Sequence, residues 1–104
     1  MLKKISGDKY TFRSKDFYNL LEKQEYRCKY SNRELTPQNT HAVHVIPLRQ
    51  GGKHELKNIV LIDRDIYYLK KQLNPDQLFN LAVDIIKTMG KYNGYKLTKT
   101  RKKK

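Results

Sequence analysis

Cysteine is nearly absent from this 104-residue chain, where Cys28 stands alone. A single thiol excludes a disulfide framework and suits a reducing compartment, so a cytoplasmic location is expected. Long apolar runs are missing as well. None approaches the roughly 20 residues of a membrane-spanning helix. The opening stretch MLKKISGDKY has no apolar core behind its lysines, so no secretory signal is expected. Acidic residues are scarce: 10 stand against 23 Lys and Arg, leaving a net charge of +13 and a pI of about 9.9. Such an excess points to polyanions, nucleic acid first. No stretch joins a broad apolar face to a lysine face, which argues against a membrane surface. A lysine-rich codon bias would raise the same count without any partner.

What is present suffices for one small domain, with 38% hydrophobic residues and no internal repeat. Phe17, Leu20 and Leu21 share one face of a helix predicted from Lys15 to Gln24, with Ser14 as its cap. YRCKYSNREL is a tight turn, in which Asn32 suits a left-handed position. HAVHVIPL and IVLI are β-rich and can pair as a hairpin across the turn RQGGKHELKN. Asp63 caps a second helix predicted from Arg64 to Leu73. Asn74, Pro75 and Asp76 open a third, with Leu78, Leu81, Ala82, Ile85 and Met89 at helical spacing as a predicted core stripe and Gly90 at its end. The fold class is therefore α+β. A domain over residues 1–90 is followed by a basic tail over residues 91–104, which holds seven of the 23 basic residues and none of the 10 acidic ones. A tail of this kind is expected to order on a polyanion.

The middle of the chain carries a more specific pattern. Gln24 lies four residues before Cys28, and Leu35 follows. His44 precedes Ile46-Pro47, then comes Gly51-Gly52, and Asn58 stands fourteen residues after His44, leading into Ile59, Val60 and Leu61. In this order the stretch from about Leu20 to Lys71 resembles the HNH, or ββα-metal, endonucleases. The resemblance implies a ββα core, a short hairpin plus a helix, flanked by the first and last helices.

The resemblance also implies a chemistry. In such a site a histidine deprotonates a water that attacks phosphorus, while one divalent metal steadies the developing charge. His44 takes the general-base position and Asn58 the loop-fastening one. The first metal-ligand position, where the family has Asp or His, holds Val43. The second, where His or Asn is usual, holds Tyr67. A valine offers no lone pair, and a neutral phenol is a poor ligand for magnesium or manganese. No metal is expected, with Mg or Mn implied only for an active nuclease using displaced ligands such as His41 and Asp63. Many members also hold a structural zinc on two Cys-x-x-Cys pairs. Here Cys28 and Ser31 take the first pair and Asp63 and Ile66 the second, so no structural zinc is expected.

A nucleic acid would meet Arg49, Lys53 and Lys57 around the turn, Arg64, Lys70 and Lys71 on the second helix, and Lys91, Lys96, Lys99, Arg101, Lys102, Lys103 and Lys104 in the tail. Such contacts position a backbone without reading its sequence. His54 is expected to be solvated or to face a phosphate. Eight tyrosines, among them Tyr67, Tyr68, Tyr92 and Tyr95, either stack on exposed bases or pack, and only one of the adjacent Tyr67 and Tyr68 can face a core. The expected function is nucleic-acid binding on a nuclease scaffold that has lost cleavage. Composition leans toward RNA and a ribonucleoprotein particle over DNA. The alternatives are an active metal-dependent DNA endonuclease with His44 as base, and a protein-interaction or inhibitor module.

Overall fold

The structure, a computed structural model, describes residues 10–100. Among them are a two-stranded antiparallel sheet and three α-helices, an α+β arrangement. The chain divides into two compact units between Asn74 and Pro75. The last helix groups with the segment that follows it.

In the first unit, α1 spans Ser14–Lys23. Its cap is Arg13, one residue earlier than the sequence predicts, because the Asp16 carboxylate reaches back and accepts the Arg13 N–H at 3.2 Å. The chain then turns sharply through left-handed Glu25, Tyr26 and Asn32. Strand β1, Thr40–His44, pairs with β2, Ile59–Asp63, in a register that sets His44 opposite Ile59 and Thr40 opposite Asp63. β2 is the central element of the unit. Its hydrogen-bonding edge away from β1 is satisfied by the Gln24 side chain, whose amide accepts from Leu61 N–H at 3.0 Å and donates to Leu61 C=O at 2.9 Å. Lys29 N–H shares that carbonyl at 3.1 Å. A side-chain amide thus stands in for a third strand.

Between the strands, Gly51 takes the left-handed conformation at φ 96°. Gly52 is fixed by contact: a Cβ there would lie 1.8 Å from the Ile46 carbonyl oxygen. Helix α2, Arg64–Lys70, starts from Asp63, whose carboxylate accepts Asp65 N–H at 3.1 Å. It ends three residues before the predicted Leu73, because Lys71 leaves the helix at φ 37°. The core is Leu21, Cys28, Leu35, Leu61 and Ile62, with Phe12, Phe17, Val43, Ile66 and Tyr67 packed around it. Each fully buried Leu or Ile contributes about 1.5–3 kcal/mol.

The second unit contains α3, Pro75–Met89, and a 3₁₀ turn over Gly90–Asn93. Gly90 lets Tyr95 N–H return to its carbonyl at 2.8 Å, where a Cβ would meet the Tyr95 oxygen at 3.0 Å. The α3 stripe predicted as core contains no buried residue, and Phe79 is 68% exposed. One helix and a turn supply no second layer to cover a stripe. No helix among the described residues is long and apolar enough to cross a membrane.

Candidate functional site

β1 ends at His44 because the next residues leave the ladder for another partner. Val45 N–H still donates to Asn58 C=O at 2.8 Å, but Ile46 is held by the Asn58 side chain. That amide accepts Ile46 N–H at 3.0 Å, donates to Ile46 C=O at 3.1 Å, and donates to Lys53 C=O at 2.9 Å. One side chain therefore closes the loop from Val45 to Lys57 at two places. Gly52 fits beneath the same carbonyl only because it has no Cβ.

The closure sets two imidazoles together. His44 Nε2 lies 3.0 Å from His54 Nδ1, with the rings edge-on, so one ring donates to the other. Tyr10 packs its ring 5.2 Å from that of His54. Burial lowers the His44 pKa below the ordinary value, and the nearby His54 and Lys70 charges push the same way. His54 is thus half-buried and partnered, not the solvated loop residue that its place in the sequence suggests.

Lys70 is a second correction. It lies on α2 as expected but is 1% exposed. Its ammonium donates to His44 C=O at 2.9 Å and to Leu73 C=O at 2.8 Å, and burial lowers its pKa. It ties the end of β1 to the end of α2 and is not available to a phosphate.

On the other face of the hairpin, Val43 packs against the core. Tyr67 stacks flat on His41, with centroids 4.2 Å apart and planes at 6°. His41 pairs with Ile62, whereas Asp63 pairs with Thr40. Alternation puts His41 and Asp63 on opposite faces of the hairpin, so the pair suggested as displaced ligands is not brought together. Among the described residues no three His, Cys, Asp or Glu side chains form a metal-holding group.

Cys28, Ser31, Asp63 and Ile66, read from the sequence as two degenerate pairs, do converge. Ser31 Oγ donates to Asp63 Oδ1 at 2.9 Å, Asp63 N–H donates to Cys28 Sγ at 3.4 Å, and Ile66 packs on the cluster that contains Cys28. Arg33 lies 3.6 Å from Asp63 and 2.9 Å from Asp65, so a guanidinium supplies the positive charge. Burial alone would raise the Asp63 pKa. Hydrogen bonds from Ser31, Cys28 and the backbone of Ile66 and Asp65 outweigh it and hold the carboxyl below its ordinary value.

The other candidate cations of this unit are exposed: Arg49, Lys53, Lys57, Arg64 and Lys71. Lys57 pairs with Glu55 at 3.8 Å, Arg64 reaches Gln38 C=O at 3.5 Å, and Lys71 lies 5.5 Å over the Tyr68 ring. In the second unit Lys91, Lys96 and Lys99 are exposed, as are Tyr92 and Tyr95 at 79% and 73%. Arg101, Lys102, Lys103 and Lys104 lie outside the described residues. Of the adjacent tyrosines, Tyr67 packs and Tyr68 is exposed.

A second feature of the first unit was missed in the sequence. A cleft of about 780 Å³ runs along α1, the following turn and the start of β2, with Lys23, Arg27, Lys29 and Lys57 among its lining residues. Their spacing along the chain gives no sign that they converge. No family model matches the chain, and no curated protein matches it.

Proposed function

We propose that this protein binds nucleic acid through an HNH-like ββα scaffold whose metal-dependent cleavage has been lost. The observation that carries this reading is the Tyr67–His41 stack beside core-packed Val43. Val43 and Tyr67 hold the two positions where the resemblance implies ligands for one divalent metal. An aliphatic side chain turned into the core and a phenol engaged in stacking do not fit a hard cation. The loop-fastening role implied for Asn58 agrees with its three hydrogen bonds to Ile46 and Lys53.

His44 keeps the place of a general base, and its lowered pKa favours the neutral ring at pH 7. Without a metal to steady the phosphorane charge, base catalysis alone leaves most of a very large barrier standing. The His44–His54 bond also engages Nε2 of His44, and so serves to hold the loop.

Binding draws on Arg49, Lys53, Lys57, Arg64 and Lys71, all exposed around the hairpin loop and α2, and on Lys91, Lys96 and Lys99 beyond it. These cations contact phosphates and leave sequence unread. Exposed Tyr68, Tyr92 and Tyr95 offer stacking faces of the kind that unpaired RNA bases use. RNA, within a ribonucleoprotein particle, is the partner favoured. Fluorescence anisotropy with labelled RNA and DNA at stepped salt tests this. Affinity should fall steeply and linearly in log–log form as counterions are displaced. Salt-insensitive or undetectable binding to both would refute it and favour a protein-interaction module.

A further inference from the structure

The cleft along α1 lies apart from the His44–His54 pair and meets the hairpin loop only at Leu56 and Lys57. Four cationic side chains line it, Lys23, Arg27, Lys29 and Lys57, against one carboxylate, Asp16. That carboxylate is already engaged, accepting from the Tyr10 hydroxyl at 3.0 Å and from Arg13 N–H at 3.2 Å. Arg27 is steadied by the Asn32 carbonyl at 3.5 Å, whereas Lys23 and Lys29 have no ion-pair partner among the described residues. Leu20, Leu56 and Val60 give the lining an aliphatic part, and the side chains of Asn19 and Asn32 add amides that can donate and accept.

We infer that this cleft is a binding site for a single strand of nucleic acid, with phosphates on Lys23, Arg27, Lys29 and Lys57 and a base against Leu20, Leu56 and Val60. The inference rests on the nucleic-acid reading above and deepens it by naming the form of the partner. Charge selects a polyanion. Shape selects among polyanions: a cleft of about 780 Å³ falls within the roughly 300–1,000 Å³ of sites that enclose small molecules, too small to admit a duplex. A duplex also keeps its base faces stacked inside, so an apolar lining gains nothing from it. A single strand brings both an anionic backbone and an unpaired apolar base face. Lys57 belongs to the same loop as Arg49 and Lys53, so a backbone leaving the cleft would meet further cations on the hairpin loop.

The test uses the full chain with all four cations changed together, Lys23→Gln, Arg27→Gln, Lys29→Gln and Lys57→Gln, and a control with Lys15→Gln and Lys87→Gln, two exposed cations outside the cleft and the hairpin loop. Every one of these side chains is exposed, and an unchanged thermal melt verifies folding. Anisotropy is read with a labelled oligouridine, the same length of oligothymidine and a blunt duplex. The quadruple variant should lose at least tenfold in affinity for the single strands. Its salt slope on them should fall by roughly 3, at about 0.7 per phosphate contact removed. Its duplex affinity should change less than threefold, and the control should retain single-strand affinity within threefold. Equal losses on single strands and duplex, or no loss on single strands, overturns the assignment while leaving general nucleic-acid binding intact. Wild-type failure to bind any of the three defeats the underlying reading too. As a second measurement, photocrosslinking of 5-iodouridine in the oligomer should mark peptides covering residues 19–32 or 56–60. Crosslinks confined elsewhere overturn the site.

Discussion

The rings of His41 and Tyr67 lie parallel, 4.2 Å apart, across the gap between β1 and α2. Val43 packs into the core nearby. On the proposed scaffold Val43 and Tyr67 hold the two ligand positions, and neither an aliphatic side chain nor a stacked phenol suits a hard cation. Placing donors at both should create an ion site. Val43→Asp combined with Tyr67→His is expected to bind Mn²⁺ at millimolar concentration, read as loss of the free-ion signal in electron paramagnetic resonance. The wild type should leave that signal unchanged. Because Val43 is half-buried, the double variant should also lose about 1–3 kcal/mol of stability. Identical spectra for both proteins would contradict the assignment of these positions.

Asn58 should matter to the loop out of proportion to its size. Asn58→Ala removes three hydrogen bonds and is expected to lower unfolding free energy in urea by about 1–3 kcal/mol. Asn58→Asp keeps an acceptor for Ile46 N–H but no donor, and should fall between. A loss below about 0.5 kcal/mol for the alanine variant would mean that the loop is held some other way.

Lys70 separates structure from binding. Lys70→Met leaves the carbonyls of His44 and Leu73 without their donor, costing about 1–3 kcal/mol, in part offset by relieving a buried cation. A lower melting temperature is expected with no change in the salt slope of nucleic-acid binding. A slope reduced by about 0.7–0.9 would instead mark Lys70 as a phosphate contact.

Acid should weaken the fold in two stages. His44 has a folded pKa below its unfolded value of 6.5, so the folded state takes up fewer protons and stability declines as pH falls through about 6.5. Asp63 also has a lowered folded value, so the stability it contributes is present above its unfolded 3.8 and is lost as pH falls further, through the folded value. Melting temperature against pH should show both. His44→Gln should remove the upper stage and Asp63→Asn the lower. A profile unaltered by either change would contradict these environments.

Much of the hairpin was legible because it rests on local signals. The Gly-Gly turn and the apolar run IVLI predict β1, β2 and their pairing, and Asp63 and Asn74-Pro75 mark where α2 and α3 begin. What was not legible depends on contacts across the chain. Nothing near Lys70 announces that its ammonium is buried against two carbonyls, and a lysine beside Lys71 on a basic helix invites the opposite reading. The His44–His54 bond spans ten residues of loop, and its only sequence signal is a second histidine just past Gly51-Gly52. Gln24 was placed by its spacing to Cys28, but its amide's role as a substitute strand follows only from where β2 runs. The α3 stripe has the period of a core helix, yet periodicity does not say whether a second layer exists to cover it.

The most direct measurement is cleavage itself. Supercoiled plasmid and a labelled RNA are incubated with the protein and Mg²⁺, Mn²⁺ or Ni²⁺, beside His44→Ala. Binding without cleavage, with wild type and variant alike at background, is the expected result. Metal-dependent nicking by the wild type that disappears in His44→Ala would contradict the loss of the metal site.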